Sequence, residues 1–579
     1  MPDVEPNHGF DDSRRLTGPN RWFAGPAVTL TPLGVAAADP VASARWAGHV
    51  RAMCTTLGWP DPQPLIERHA SGALLVFAAP EDLLFTATEV NEWACERAAA
   101  EAGETGFDLA QDFGEDLGED AAATLAARAA AERLPALAAL RAEAAAHGLP
   151  LIEDDDEVSL GAGTGSRRWL RHGLPATDAV PWAELHDVPT VLVTGSNGKT
   201  TTVRLLAAMA AAAGLVPGHC CTEGVFVGGR ALTDGDYAGP AGAREVLRHP
   251  QVQAAVLETA RGGLLRRGLA VRRADVAVVT NISPDHLGEY GIEDADDLAE
   301  TKLVVARAVL HGGTLVLNAD DTTLMAAAAR LPHAAAARQA LFAADHGHPA
   351  LTELRGKGGS TCGLRDGALL LCHGGQEHPL GEVSGLPLTL GGAARHNTAN
   401  LAAAALAAAA LGLPLAAIIG TLRHFGSSPQ DNPGRLEHWQ HRGASVLIDY
   451  AHNPDGLAQL LGVARALQPT RLFLLLGQAG NRDDAAIIEL ARTAARFAPE
   501  RVVIKELPQM LRGRAPGEVP ALIERALLAA GTAPERITTE PDEEAAAQAL
   551  LDAAEPGDVI VLPVHTRAVR ERLTARLGR

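Results

Sequence analysis

The sequence predicts an α/β protein of three domains, with a central domain built on a doubly wound parallel sheet. First, the chain has 579 residues, longer than a single hydrophobic core usually supports. Second, from about residue 190 short apolar runs alternate with helical patterns, and each run ends in polar or glycine-rich residues. Third, the run at 191–195 leads directly into a glycine-rich turn and an alanine-rich helix. Ligands of such sheets bind at the carboxyl ends of the strands.

The alternation of strands and helices also places the domain boundaries. A glycine-rich section between about 345 and 390 predicts short antiparallel strands and hairpins, and the run SSPQDNPG near residue 428 predicts a linker. We therefore expect an N-terminal α+β domain at 1–180, a central domain at 181–428 and a Rossmann-like α/β domain at 429–579. The expected strands are 191–195, 254–259, 275–282 and 314–321, followed in the C-terminal domain by 444–452, 471–480, 501–506 and 558–564.

The first 180 residues carry tryptophans but no catalytic motif. They predict a strand at Ala73–Ala79 and a helix over 91–102. An acidic stretch at 108–120 precedes an Ala/Arg/Glu-rich pattern that predicts one long helix over 121–147. The role of this domain is left open by its sequence.

The composition of the chain favours one cellular compartment and argues against some classes of partner. With 50 basic and 70 acidic residues the net charge is −20, which argues against a nucleic-acid-binding surface. A polar start without an apolar segment and six scattered cysteines without a CxxC pair favour a cytoplasmic protein with reduced thiols. The uncharged stretch 401–422 has the length of a membrane span, but Gly412 and Pro414 interrupt it, so we expect a buried helix pair and no membrane contact.

Lysine is rare in this chain. The 50 basic residues include four lysines, which are Lys199, Lys302, Lys357 and Lys505. Arginine carries a planar guanidinium that stays protonated, whereas the lysine amine is compact and can lose its proton. Each lysine therefore raises the question of whether arginine could replace it.

The segment VTGSNGKTT at 193–201 predicts a phosphate-binding loop. Gly195 and Gly198 let backbone N–H groups turn toward one anion at a helix N-terminus, where the dipole favours negative charge. Lys199 can reach the terminal phosphates, and the Thr200 hydroxyl can bind Mg²⁺. Two residues separate the glycines, where a standard P-loop has four. The expected nucleotide-binding residues of the loop are Gly195, Ser196, Asn197, Gly198, Lys199, Thr200 and Thr201.

This short spacing resembles the ATP loop of the Mur ligase superfamily, whose further motifs recur in order. They are similar to TNISPDHL (280–287), NADD (318–321), GAARHNTAN (392–400), DNPGRLE (431–437) and DYAHNPDG (449–456). The strings ETARGGLLRRGL (258–269) and KELP with RGRAPGE (505–518) resemble the C-terminal half of its cyanophycin synthetase branch. The resemblance is strong from about 190 to 579 and faint before it, and we expect the ATP-grasp domain of that branch to be missing.

The resemblance implies metal ligands at two magnesium ions. Glu258, at the end of a strand, is implied for the first ion together with the P-loop threonine. His286 and Lys302 are implied for the second ion, and Lys302 as a carbamate, a modification that arginine does not undergo. Asn281 and Asp285 are implied to shape the site. The alternatives are a capping glutamate, a structural histidine and a surface lysine on a helix.

The resemblance also implies nucleotide contacts beyond the loop. Asn397, with Asn400 beside it, is implied to meet adenine, because an amide can both donate to and accept from a purine. Arg435 is implied to contact the γ-phosphate and Asp449 the ribose. For Asn397 the alternative is a helix start rich in Asn and Thr.

Tentative substrate residues follow from the same motifs. Several arginines could hold an acidic substrate, and the alternative is a solvated arginine face. The loop GQAGNRDD at 477–484 departs from the GDRDD form of the family, which leaves its acceptor contacts unassigned. The substrate residues suggested are Arg261, His452, Asn453, Lys505, Arg512 and Arg514.

The function that the resemblance implies is an ADP-forming acid–amino-acid ligase with ATP and two Mg²⁺ ions. The catalytic residues would be Lys199, His286, Lys302 and Arg435. Its substrates would be a small molecule or peptide with a carboxylate and an amino acid or other amine. Two other classes stay open: a P-loop phosphotransferase or ATPase, and a non-catalytic scaffold that binds partners through the N-terminal domain. The substrates' identities and the oligomeric state are also open.

Overall fold

The computed structural model describes residues 10–103, 121–285 and 287–578. Over these ranges the protein is mixed α/β with parallel sheets, as the sequence predicts. The acidic stretch at 108–120 lies outside the described residues, and the two boundaries between the three expected domains stay a prediction. The chain divides into two compact units, the first formed by Met1–Phe342, Glu353–Thr361 and Ala403–Pro414 and the second by Ala343–Thr352, Cys362–Ala402 and Leu415–Arg579.

The N-terminal region holds two antiparallel sheets and five helices among the residues described. The sheet orders are β1-β2-β4-β3 and β5-β6-β7 in the numbering given next. The elements are β1 (Phe10–Leu16), β2 (Ala27–Pro32), α1 (Gly34–Ala38), α2 (Pro40–Thr56), β3 (Leu65–His69), β4 (Gly72–Ala78), α3 (Leu84–Glu101), α4 (Ala121–Glu132), α5 (Pro135–Ala146), β5 (Leu151–Glu153), β6 (Glu157–Leu160) and β7 (Arg167–Leu170).

The predicted strand at Ala73–Ala79 is confirmed as β4, and the predicted helix over 91–102 lies within the longer α3. The prediction of one helix over 121–147 is wrong, because α4 ends at Glu132 and α5 begins at Pro135. A proline lacks the amide hydrogen that a continuing helix needs and suits the first helical turn instead. The pattern of Ala, Arg and Glu therefore gave the helical state but missed the break.

The central region is a parallel sheet flanked by helices. Its elements are β8 (Thr190–Thr194), α6 (Lys199–Ala212), β9 (Pro217–Cys221), β10 (Gly224–Val227), β11 (Arg230–Asp234), α7 (Pro240–Leu247), β12 (Ala254–Glu258), α8 (Arg261–Arg267), β13 (Ala274–Val279), α9 (Ala295–Lys302), β14 (Val309–Asn318), α10 (Thr322–Arg330), α11 (Pro332–Ala335) and β15 (Arg338–Asp345). The strand order is β11-β10-β9-β12-β8-β13-β14-β15, parallel from β9 to β15 and antiparallel at β10 and β11. The strand β8 thus lies between β12 and β13, and their carboxyl ends share one edge.

Within the first unit, the N-terminal strands are fastened to the central region. The Arg14 guanidinium donates to the Leu265 carbonyl at 2.7 Å. Arg21, in the loop between β1 and β2, forms ion pairs with Asp297 at 2.5 Å and Glu300 at 3.2 Å, both on α9. The N-terminal region therefore holds in place the helix that ends at Lys302.

The rest of the chain contains an antiparallel hairpin, a helix pair and a second parallel sheet. Its elements are α12 (Pro349–Gly356), β16 (Thr361–Arg365), β17 (Ala368–His373), β18 (Gln376–Glu382), α13 (Arg395–Ala410), α14 (Leu415–His424), β19 (Glu437–His441), β20 (Ala444–Asp449), α15 (Pro454–Ala466), β21 (Leu472–Leu476), α16 (Asp484–Arg496), β22 (Arg501–Ile504), α17 (Glu518–Ala529), β23 (Ile537–Thr539), α18 (Glu543–Asp552), β24 (Val559–Pro563) and α19 (Arg567–Leu577). The second sheet has the order β19-β20-β24-β21-β22-β23 and is parallel except at the edge strand β19.

The uncharged stretch 401–422 forms parts of α13 and α14, so the predicted helix pair is confirmed. The break falls at Gly412 to Pro414, where the sequence places it. Across the described parts of the chain, each helix falls short of the length and apolar character that crossing a bilayer would require.

Candidate active site

The predicted phosphate loop joins β8 to α6. Gly198 has a φ of +84° at the start of the helix, and Gly195 has a φ of +145°, both in the region that favours glycine. A Cβ atom on Gly195 would stand 1.8 Å from Thr280 Oγ1, so no larger residue fits there. The Asn197 N–H donates to Asn281 Oδ1 at 2.9 Å, and Asn281 Nδ2 donates back to the Asn197 carbonyl at 3.0 Å. The loop is therefore held in one shape by the TNI motif.

A second set of contacts supports the loop from the motif after β13. The Ser196 hydroxyl donates to the Ser283 carbonyl at 2.9 Å. The Ile282 N–H donates to Asp321 Oδ2 at 2.5 Å, and the same carboxylate caps α10. This gives the NADD motif the supporting position that the resemblance implies.

Polar side chains converge where β8, β9 and β12 end. Lys199 Nζ donates to the Gly195 carbonyl at 3.0 Å. Thr200 Oγ1 donates to Glu258 Oε2 at 2.8 Å and lies 3.2 Å from Thr222 Oγ1. Glu258 is 1% exposed. Sequence reasoning missed Thr222, although a polar residue directly after a buried strand is the available indication.

Lys302, the last residue of α9, reaches the same loop. Its Nζ donates to the Gly195 carbonyl at 2.9 Å, and the residue is 3% exposed. Burial lowers the pKa of Lys302 well below its ordinary value, the nearby charge of Lys199 lowers this pKa further, and Asp285 opposes both effects. The position therefore favours an uncharged amine.

Three other residues predicted for the site are Thr201, Arg261 and His286, and the structure describes the first two. Thr201 is buried on α6. Arg261 is buried at the start of α8 and forms an ion pair with Glu289. His286 lies outside the described residues. Its proposed role as a metal ligand stays a prediction.

In the second unit, the predicted nucleotide residues Arg435 and Asp449 lie close together. The Leu436 N–H donates to Asp449 Oδ2 at 2.6 Å, and the Arg435 guanidinium lies 4.8 Å from the ring centroid of Tyr450. Burial raises the pKa of Asp449, and the charge of Arg435 opposes this rise. The carboxyl end of β20 thus carries one partly buried acid near one guanidinium.

Asn397, the predicted adenine contact, lies in the first turn of α13 and not in an open loop. It is 2% exposed, donates from Nδ2 to the Leu388 carbonyl at 3.0 Å and accepts from Asn400 Nδ2 at 3.1 Å. Its amide is therefore engaged in holding the start of the helix, which agrees with the alternative of a helix start rich in Asn and Thr. The adenine contact stays a prediction.

The DYAHNPDG motif turns from β20 into α15. Asn453 is 2% exposed and caps this helix, since its Oδ1 accepts from the Gly456 N–H at 2.8 Å. The His452 carbonyl accepts from Gln478 Nε2 at 2.8 Å. Both residues have structural contacts at the positions that the resemblance assigns to substrate.

Lys505 is fully buried, with an exposure of 0%. Its ammonium forms an ion pair with Glu543, contacts the Pro563 carbonyl and lies 3.0 Å from His565 Nδ1. Burial lowers the pKa of Lys505, and the Glu543 carboxylate opposes this effect. The structure thus places this lysine in an internal ion pair, and its tentative substrate role stays a prediction.

Arg514 fastens the loop whose sequence departs from the family pattern. Its Nε donates to the Gly480 carbonyl at 3.0 Å and its Nη2 to the Arg482 carbonyl at 2.8 Å. It also forms a 2.8 Å ion pair with Asp484. Arg512, by contrast, is exposed. Of these two tentative substrate residues, Arg514 has internal partners and Arg512 faces solvent.

Comparisons with known proteins cover the central and C-terminal regions. The family model of the Mur ligase middle domain matches residues 193–408, and that of the Mur ligase glutamate ligase domain matches residues 434–563. Cyanophycin synthetase of Synechocystis sp. is 35% identical over 431 residues, which are 72% of this chain and 48% of that protein. The chain thus spans about half the length of this relative.

Two further similarities have higher coverage of the matched protein. UDP-N-acetylmuramyl-tripeptide synthetase of Leifsonia xyli subsp. xyli is 30% identical over 427 residues, which are 72% of this chain and 76% of that protein. The solved structure of E. coli FolC in complex with DHPP and ADP aligns with 68% of this chain and 89% of that chain, at 20% identity and a TM-score of 0.48.

Proposed function

The chain belongs to the Mur ligase family, and on this premise we propose that it is an ADP-forming ligase that joins a carboxylate to the amine of an amino acid or peptide. One observation supports this proposal above the others. Lys199 and Lys302 both donate to the carbonyl of Gly195, beside the loop that presents backbone N–H groups at the start of α6. The Lys199 ammonium and a helix N-terminus at one point suit a nucleotide with several negative charges, and Lys302 lies within reach of the same loop.

The residues present fit a magnesium ion. Thr200 and Glu258 offer a hydroxyl and a carboxylate, which are hard oxygen ligands, and their oxygens lie 2.8 Å apart in a buried position. When bound, Mg²⁺ neutralises charge on the phosphates of ATP. His286 and a carbamate on Lys302 are the ligands that we propose for a second ion.

In the proposed reaction, a carboxylate oxygen of the substrate attacks the γ-phosphorus of ATP. The bond from this phosphorus to the bridging oxygen breaks, which releases ADP and leaves an acyl phosphate. An amine nitrogen then attacks the acyl carbon, phosphate departs and the surplus proton passes to solvent. Lys199 stabilises the charge on the transferring phosphoryl group, because a fixed cation acts most strongly where water is excluded. A contact of Arg435 with the γ-phosphate stays the role that the resemblance implies.

Lys302 has the properties that carbamate formation requires. The neutral amine is the form that adds to CO₂, and burial beside Lys199 favours that form. The nitrogen forms a bond to the CO₂ carbon and loses a proton to water, which converts a cation into an anionic oxygen donor. A carbamate would also remove the repulsion between the two lysines.

The names of the relatives suggest two sets of substrates. One is a cyanophycin chain end with an incoming amino acid, and the other is a UDP-N-acetylmuramyl peptide with an amino acid. Because the chain spans about half of the cyanophycin synthetase that it matches, each set is a proposal to be tested separately.

The deciding experiment incubates the full chain with ATP, Mg²⁺ and a panel of carboxylate and amine pairs drawn from both sets. We expect phosphate release that depends on both substrates and a product whose mass equals their sum minus water. Lys357→Met, on an exposed lysine paired with Glu353, serves as the control and should be as active as the wild type. Phosphate release that ignores the amine would contradict the ligase proposal and favour an ATPase.

A further inference from the structure

A second group of side chains with metal-ligating chemistry lies in the second unit, outside every motif named above. His346 follows β15, Cys372 is on β17 and Glu377 is on β18. One ligand atom from each of these residues lies within 4.8 Å of the other two. A thiolate, an imidazole and a carboxylate together favour a borderline divalent cation over the hard Mg²⁺ of the nucleotide site.

Two of the three distances between these atoms are close to those of a zinc coordination sphere, and the third is within 4.8 Å. Cys372 Sγ lies 3.5 Å from His346 Nε2, and the same nitrogen lies 3.6 Å from Glu377 Oε2. Zinc bonds of about 2.0–2.3 Å at tetrahedral angles separate neighbouring ligand atoms by about 3.4–3.6 Å.

The backbone fixes the three side chains before any cation binds. Cys372 and Glu377 are directly opposite each other in the antiparallel pair β17–β18, and therefore share one face. The His346 N–H donates to the Leu364 carbonyl at 2.8 Å. A Cβ atom on Gly363 would stand 2.9 Å from His346 Cα, so this close approach requires glycine.

The carboxylate also has an outer partner of the kind that metal ligands usually have. Arg365 Nη1 donates to Glu377 Oε2 at 3.0 Å, and its other nitrogen contacts the second oxygen. A carboxylate offers about four acceptor sites and can hold a guanidinium and a cation together. We propose that His346, Cys372 and Glu377 bind one Zn²⁺ with solvent as the fourth ligand, and that this ion ties the segment before α12 to the β17–β18 hairpin.

A cobalt titration of the chelator-treated full chain tests this site without using catalysis. Co²⁺ replaces Zn²⁺ in tetrahedral sites, and a thiolate ligand gives a charge-transfer band in the near ultraviolet that oxygen ligands at a magnesium site do not give. We expect one equivalent of Co²⁺ to produce the band and Zn²⁺ to abolish it. Cys372→Ser should lose the band, and His346→Gln and Glu377→Gln should each weaken binding at least about tenfold.

Two matched variants control for position and for thiol content. His373→Gln changes the next residue of β17, which points to the opposite face, and Cys362→Ser removes a buried thiol outside the cluster. Both should keep the band. Zn²⁺ should also raise the Tm of the wild type but not that of Cys372→Ser. Absence of the band in the wild type, or its persistence in Cys372→Ser, would overturn the proposal; should Cys372→Ser not fold, an unchanged affinity in the exposed Glu377→Gln variant would do so.

Discussion

The phosphate-loop region of the first unit and the C-terminal sheet of the second each contain a buried lysine, and the two lysines differ in their surroundings. Lys302 is 3% exposed and donates to a backbone carbonyl near a second lysine. Lys505 is 0% exposed and forms an ion pair with Glu543. Burial lowers the pKa of both. The surroundings of Lys302 disfavour its charge, whereas Glu543 compensates the charge of Lys505.

The partner of a buried lysine therefore helps to distinguish a lysine that takes part in a reaction from one that only stabilises the fold. A buried cation costs several kcal/mol of folding free energy unless a partner offsets it. Where an acid supplies the partner, as at Lys505, the pair can be explained by folding alone. At Lys302 the neighbours include another amine, and Asp285 offsets only part of the cost, so a function is the natural account of the remainder.

The largest effect that we expect comes from Lys199→Met. Removing the cation beside the phosphates should lower kcat/KM for ATP by about a thousandfold or more, while the Tm stays near that of the wild type. Steady-state kinetics and thermal denaturation check the two parts. A variant that keeps wild-type kinetics would break the comparison, because the loop lysine would then be as structural as Lys505.

The second largest effect that we expect is a loss of stability when Glu543→Gln breaks the ion pair with Lys505. An unpaired buried Lys505 ammonium should reduce the stability of the second unit by about 3 kcal/mol at pH 7. Hydrogen exchange of β24 amides measures that unit by itself. Lys357→Met, at an exposed i,i+4 pair with Glu353, is the control, with a change below about 0.5 kcal/mol.

The same pair predicts a pH dependence with a definite sign. Burial raises the pKa of Glu543, but the charge of Lys505 and the hydrogen bonds outweigh burial and hold this pKa below its ordinary value. A depressed carboxyl pKa contributes stability that is complete above the unfolded value of about 4.3 and is lost as the pH falls toward the folded value. The stability difference between wild type and Glu543→Gln should therefore shrink below about pH 4.3; a constant difference would contradict the ion pair.

Lys302→Arg tests whether the buried lysine of the first unit acts as a carbamate. Arginine keeps a positive charge but does not form a carbamate, so we expect activity to fall about a hundredfold. The wild type should also lose activity when CO₂ is removed and regain it with bicarbonate, whereas the variant should respond to neither. Full activity in the variant would refute the carbamate, and a large fall in Tm without a bicarbonate effect would make Lys302 structural.

The sequence predicted the parallel sheets and the loop well because those features are local. Gly195, Lys199 and Thr200 lie within six residues of one strand end, and strand-to-helix spacing alone places them together. The break before Pro135 and the edge strand β19 were missed, since an Ala-rich pattern and a short polar strand carry weak periodicity. Elements of low hydrophobic contrast therefore need the structure.

The contacts that the sequence could not predict are those between residues far apart along the chain. Glu543 lies 38 residues beyond Lys505, in a helix start that resembles any other, so the pair has no sequence pattern. The same holds for Arg21, which joins the N-terminal region to α9 across 276 residues. A motif names the residues that meet a ligand, but it does not say which of them the fold also uses.

The smallest effect that we expect comes from substitutions of Asn453, which caps α15. Its Oδ1 caps α15, so Asn453→Ala should lower stability by about 1 kcal/mol, whereas Asn453→Asp keeps an acceptor at a helix N-terminus and should stay within about 0.5 kcal/mol of the wild type. Denaturant unfolding measures both variants, and an unchanged stability of Asn453→Ala would contradict the cap. The aspartate variant retains the acceptor oxygen but loses the amide donor. A fall in its kcat/KM at unchanged stability would therefore assign the donor to substrate, and the same residue would then serve fold and chemistry through different atoms.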